Sequence, residues 1–349
     1  VGEAGVSQGV GVEALKKKAE EGRPGGPPHM KKMNYTRRDF GKVALAAWPA
    51  ARLLAAKPNS LWGGVQVGIN APYSYGNNNL GADETLNNTV QLGLSAVELR
   101  TQPVESFLGA PAMPAAPAGA RRGPPTPEQQ AAQTAAAEAL KKWRLSRTVD
   151  QFKTFRKKYE DAGVLIQIVK VDWIQNASDD EVEYCFLLAK TVGAHAISCE
   201  IPLSKTKWLG AFADKHKMMV GYHGHTDITS PEAFGRPESW ETAMTYAKYN
   251  GINLDIGHFV AGNSISPIPF MEKHHDRITH IHVKDRKMHM GPNVPFGQGD
   301  TPIKEVLQLM QKDKWKFQAA IEFEYPVPQG STRMAEIAKC VEFCKNILV

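Results

Sequence analysis

Thr279-His280-Ile281-His282-Val283-Lys284-Asp285 is a short run in which apolar residues alternate with histidines before it closes on a lysine and an acid. With Ile278 in front of it, such a run reads as a strand, Ile278 to Val283. Seven more runs of this kind are spaced along the chain: Val65 to Ile69, Ala96 to Leu99, Val164 to Val169, Ala196 to Cys199, Met218 to Tyr222, Ile252 to Asp255 and Ala319 to Phe323. Helix-period segments lie between them. Val149, Phe152, Phe155, Tyr159 and Ala162 share one face, as do Val182, Cys185, Leu188, Ala189 and Val192, and again Met334, Ile337, Ala338, Val341 and Cys344. Eight strand-helix units predict an α/β fold, the (β/α)8 TIM barrel. A doubly wound open sheet would need a glycine-rich phosphate turn after the first strand, where Asn70-Ala71-Pro72-Tyr73 stands instead.

The rhythm breaks once. Residues 103–147, after the second strand, form a Pro/Ala-rich insertion that ends in an Ala-rich helical stretch from Glu128 to Leu145. In a barrel it emerges on the face where active sites lie, as a lid, an oligomer arm or a solvated insertion.

The 349 residues carry a net charge of +6, and its location matters more than its size. Residues 1–57 hold 11 of the 42 basic and 5 of the 36 acidic residues, which leaves 31 of each in residues 58–349. The catalytic domain, 58–349, is therefore neutral, and a nucleic-acid partner is not expected. No run of eighteen apolar residues is present, which argues against a polytopic membrane protein. Residues 1–57 read as a leader: Thr36-Arg37-Arg38-Asp39-Phe40-Gly41-Lys42 and the apolar Val43 to Trp48 resemble a twin-arginine export signal. That resemblance implies passage through the twin-arginine translocation machinery to the periplasm, or a membrane tether if the leader stays uncleaved. Met30 or Met33 is the expected start. Cys185, Cys199, Cys340 and Cys344 are too few for a disulfide framework and read as buried thiols.

Chemistry concentrates at the ends of the later strands. Glu200 closes the fourth run, His223 and His225 follow the fifth, Asp255 and His258 end the sixth, His280 and His282 belong to the seventh, and Glu322 and Glu324 lie on the eighth. A parallel barrel brings all these ends to one mouth. A single histidine there is usually structural, but acids repeated at the ends of apolar strands are costly unless they are paired or bind a cation. Carboxylates with imidazole suit one divalent ion, manganese, magnesium, cobalt or zinc. Trp173 and Trp208 read as packing, Glu98 and Arg100 as a structural ion pair or a substrate contact, and His274-His275 as a helix end.

The order of motifs, Leu254-Asp255-x-Gly257-His258, His280-Ile281-His282-Val283-Lys284-Asp285, Gly297-Gln298-Gly299-Asp300 and Ile321-Glu322-x-x-x-Pro326, resembles the sugar phosphate isomerase/epimerase superfamily, the xylose-isomerase-like barrels. The resemblance covers about residues 62–349. It implies one divalent metal held by two Glu, one Asp and one His, carried onto Asp255, His282, Glu322 and Glu200. Many relatives place the remaining carboxylate on the strand that here reads Tyr222-His223-Gly224-His225, so His223 and His225 stay open as ligands or substrate-binding groups. Glu200 and Glu322 are the expected acid and base, and His223, His225, His258 and Lys284 the expected substrate contacts. The expected function is metal-dependent isomerisation or epimerisation of a sugar or keto-sugar through an enediolate. A lyase or dehydratase on the same site is the alternative. An AP-endonuclease-like nuclease or a non-catalytic carbohydrate-binding barrel ranks below it. The partner is a small carbohydrate, with a homo-oligomer left open.

Overall fold

The computed structural model describes residues 57–114 and 126–349. The leader and its twin-arginine segment lie outside the described residues, as does part of the 103–147 insertion. Eight parallel strands follow in chain order: β1 Val65–Ala71, β2 Ala96–Arg100, β3 Leu165–Lys170, β4 Ala196–Cys199, β5 Met219–His223, β6 Asn250–Asp255, β7 Ile278–Val283 and β8 Gln318–Ile321. Each pairs with its sequence neighbours, and β8 returns to β1 with Ala319 beside Val67 and Ile321 beside Ile69. The sheet is thereby closed, so the open-sheet alternative is excluded. The fold is a (β/α)8 barrel.

The helices are α1 Ala82–Gln91, α2 Thr101–Phe107, α3 Pro127–Leu145, α4 Val149–Asp161, α5 Asp179–Val192, α6 Thr206–His216, α7 Pro237–Tyr246, α8 Ile256–Asn263, α9 Ile268–His274, α10 Ile303–Lys312 and α11 Arg333–Leu348. Their starts are written locally. Thr126 with Gln129 and Ser178 with Glu181 form capping boxes, which satisfy backbone N–H groups that a helix cannot pair internally. None of the described helices is long and apolar enough to cross a membrane.

Apolar strand residues such as Ile69, Leu99, Val169, Ile197 and Val283 are buried with helix residues Phe152, Phe155, Val182 and Phe186 in one core. Cys185, Cys199, Cys340 and Cys344 are free and buried, as their number suggested. The lumen, by contrast, is polar. Asn253 Nδ2 donates to Ser198 Oγ at 2.8 Å, and Glu98 on β2 reaches across the ring to His280 and His282 on β7. Glu98 therefore does not pair with Arg100, which binds Asp172 instead at 2.5 Å. Alternation explains the difference: both side chains point inward, but Arg100 sits at the rim, within reach of the loop after β3.

Candidate metal centre at the barrel mouth

Four side chains converge where β5, β6, β7 and β8 end. One ligand atom from each of His223, Asp255, His282 and Glu322 lies within 4.8 Å of the others, and all four residues are buried. Strand register positions two of them, since Asp255 and His282 are direct neighbours on β6 and β7. Each carboxylate has one oxygen anchored. Asp255 Oδ1 caps α8 by accepting from the His258 N–H at 2.7 Å, and Glu322 Oε1 accepts from Asn70 Nδ2 at 2.8 Å. Their other oxygens, Asp255 Oδ2 and Glu322 Oε2, have no hydrogen-bond partner, and neither have His223 Nδ1 and His282 Nδ1. Buried polar atoms are rarely left unpaired. Four together, two anionic and two imidazole, fit a divalent cation.

The cluster already draws a positive charge. Lys284 Nζ lies 2.6 Å from Glu322 Oε2, 3.1 Å from Asp255 Oδ2 and 2.9 Å from His258 Nε2, and it donates to Glu324 Oε2 at 2.6 Å. Three protons cannot serve four partners, and only the contact to Glu324 among the carboxylates has hydrogen-bond geometry. Burial would lower the Lys284 pKa, but Asp255, Glu322 and Glu324 hold it well above its usual range. His282 behaves alike: burial opposes its charge, yet Glu98 and Glu322 push its pKa up to about 10. Without a metal, then, an ammonium and an imidazolium balance the carboxylates.

Gly257 makes this arrangement possible, because a Cβ there would lie 2.4 Å from Lys284 Cγ. Asp285 faces away and organises the Gly297-Gln298-Gly299-Asp300 loop, accepting from the N–H groups of Gly297 and Gly299 at 2.8 Å each. Those two motifs are thus scaffolding around the mouth.

Glu200 departs from expectation. It is outside every group of three or more described residues whose ligand atoms meet, and His223 joins Asp255, His282 and Glu322 instead. The physical reason lies one strand away: Lys170, almost fully buried, donates from Nζ to Glu200 Oε1 at 2.6 Å and neutralises it. Burial raises the Glu200 pKa, but Lys170 and His225 overrule it and hold the carboxyl well below its usual range. His225, exposed at the mouth, is held through Nε2 to Glu200 Oε2 at 3.1 Å. A cavity of about 330 Å³ opens here, lined by Glu200, His223, His225 and Phe234. A second, of about 480 Å³, lies beside Tyr73, Asn293, Phe323 and Glu324. Tyr73 donates to Glu324 Oε1 at 2.5 Å. The tyrosine and Asn70 escaped notice in the sequence because nothing local marks the end of β1 as part of the mouth. Trp173 packs under Arg144 and donates to Thr101 Oγ1 at 3.1 Å, and Trp208 donates to Asp179 Oδ1 at 2.9 Å.

Residues 198–347 match the family model described as xylose isomerase-like TIM barrel. No curated protein matches the sequence. Several solved structures share the fold. An uncharacterised protein from Parabacteroides distasonis is 21% identical, with a TM-score of 0.52 over 81% of this chain and 99% of its own. A structure described as L-ribulose 3-epimerase is 10% identical, with a TM-score of 0.54 over 81% and 94%. A xylose isomerase-like TIM barrel protein from Mycobacterium smegmatis, in complex with magnesium, is 12% identical, with a TM-score of 0.53 over 82% and 96%.

Proposed function

We propose that this chain, a TIM barrel whose residues 198–347 match the xylose isomerase-like model, is a divalent-metal-dependent isomerase or epimerase that moves a proton beside the carbonyl of a sugar or keto-sugar. The observation that carries the reading is the meeting of buried ligand atoms from His223, Asp255, His282 and Glu322 at the strand ends, where the two carboxylate oxygens lack hydrogen-bond partners and the Lys284 ammonium balances their charge. Two imidazoles beside two carboxylates favour manganese, cobalt or zinc over magnesium. A cation held there supplies Lewis-acid polarisation of a carbonyl and so acidifies the adjacent C–H.

The remaining steps belong to side chains. Glu322 would hold the cation through Oε2, which leaves Oε1, oriented by Asn70, as its acid-base atom on one side of the mouth. Glu200 acts from the other side through His225. The His225 Nε2–H donates to Glu200, which leaves Nδ1 free to take or return a proton. Lys284 offers an ammonium to the oxygen on which negative charge develops, with Glu324 and Tyr73 holding its position. Proton removal on one face and return on the other gives an epimer. Return at the neighbouring carbon gives an isomer, and loss of a β-substituent gives the lyase or dehydratase alternative. A fold shared with an L-ribulose 3-epimerase and a magnesium-bound barrel supports this reading. The twin-arginine segment at residues 36–42 supports an exported enzyme, for which unphosphorylated ketoses and 3-keto-glycosides are the substrates to try.

Manganese content per chain and deuterium uptake from heavy water into that substrate panel test the proposal together. Asp255→Ala and Glu322→Ala should each cut metal occupancy at least tenfold and abolish exchange. Full occupancy in both variants overturns it.

A further inference from the structure

One lumen group remains unused by this chemistry. Glu98 on β2 is fully buried and turns both carboxylate oxygens toward β7. A buried carboxylate is costly unless it is paired and hydrogen-bonded, so its partners define its role. Oε2 lies 2.5 Å from His282 Nε2, and Oε1 lies 3.1 Å from His280 Nε2.

What faces each ring nitrogen fixes where its hydrogen sits. The Thr279 hydroxyl donates to the Ile252 carbonyl at 3.0 Å, so its oxygen accepts from His280 Nδ1 at 2.9 Å; His280 Nε2 is then a bare lone pair and makes no hydrogen bond to Glu98 Oε1. An ionised carboxylate only accepts. His282 Nε2 therefore carries a hydrogen and donates it to Glu98. Asn253 Nδ2, which also donates to Ser198 Oγ, lies 3.4 Å from the same nitrogen, a much longer contact than the 2.5 Å one to the Glu98 carboxylate. In the neutral ring that ligates a cation, the other nitrogen is then a bare lone pair. That atom is Nδ1, which lies 3.3 Å from Glu322 Oε2 and 3.8 Å from Asp255 Oδ2 and has no hydrogen-bond partner.

We infer that Glu98 is the positioning residue of the metal centre: from across the lumen it fixes His282 in the Nε2–H tautomer and so aims Nδ1 at the cation. The inference rests on the metal centre proposed above. Glu98 itself touches neither cation nor substrate. A carboxylate behind a metal-bound histidine orients the ring and raises its basicity, and its loss typically costs about 10–100-fold in metal affinity.

Zinc, being diamagnetic, allows both halves to be read. Zinc affinity is measured by competition with a chromophoric chelator for the wild type, Glu98→Gln and Glu98→Met. Gln keeps an acceptor for His282 and a donor for His280, so Glu98→Gln should fold and bind about tenfold more weakly. Glu98→Met, with no acceptor, should approach 100-fold. Nitrogen-15 spectra of the zinc-loaded wild type should show His282 bound through Nδ1 with hydrogen on Nε2, a signature that a merely structural carboxylate would not set. Wild-type zinc affinity in Glu98→Gln, or zinc on Nε2 of His282, overturns the inference even if Glu98→Met fails to fold. A wild type that binds no zinc removes the metal centre itself, and Glu98's role with it; binding that is indifferent to Glu98 removes only the latter.

Discussion

Lys284 is the residue on which the mouth turns, because its ammonium lies within 3.1 Å of carboxylate oxygens from Asp255, Glu322 and Glu324. Removing one partner of a buried ion network leaves uncompensated charge and typically costs about 3–5 kcal/mol. Lys284→Met should lower metal-free stability by that order, read as a shift in the urea midpoint, and excess manganese should restore much of it by replacing the missing cation. An unchanged midpoint would show that the carboxylates do not depend on the lysine. The sequence marked Asp255, His282, Glu322 and Lys284 because each ends a strand and a barrel gathers strand ends. It could not choose between Glu200 and His223, since that choice depends on Lys170, a buried charge whose direction no local pattern reveals. The partners of Glu98 were hidden for a related reason: they are 182 and 184 positions away, and only closure of the ring brings them together.

Among the elements, α3 shows how a legible helix can have an illegible role. Its alanine-rich composition and the Thr126–Gln129 capping box explain why it forms. Its mooring is a matter of long-range contact: Arg144 in its last turn pairs with Glu105 of α2 at 2.8 Å and Glu181 of α5 at 3.1 Å and covers the Trp173 ring at 3.5 Å. A cavity of about 830 Å³ lies along this junction, lined by Gln102, Lys141 and Trp173 among others. All three charged groups are buried, so breaking the set should loosen α3 before it touches the barrel. Arg144→Met should speed proteolytic cleavage and hydrogen exchange within residues 127–145 at least tenfold, while exchange in the β-strands stays close to wild type. Equal protection of α3 in the two proteins would mean that its packing alone holds it. The strands themselves were legible to within a residue or two, because β-branched runs at regular spacing have few other uses.

For the molecule as a whole, the division between an apolar outer core and a charged lumen makes stability a function of pH. Lys170 is nearly inaccessible, and Glu200 is its closest counter-ion at 2.6 Å, with its own carboxylate half exposed at the mouth. Since Lys170 and His225 hold the Glu200 pKa below its unfolded value, the unfolded chain takes up the proton first as pH falls. Stability from this pair is therefore complete above the unfolded pKa of about 4.3 and is lost on acidification toward the lower folded value. Glu200→Gln should be less stable than wild type at pH 7 by about 1–2 kcal/mol, a modest figure because solvent screens the exposed oxygen. Between pH 5 and about 3 its urea midpoint should fall less steeply than the wild type's, so that the two curves converge. Curves that stay parallel over that range would mean that Lys170 is balanced by the rest of the lumen, by Glu98 above all, and that the rim carboxylate serves the chemistry of His225 without stabilising the barrel.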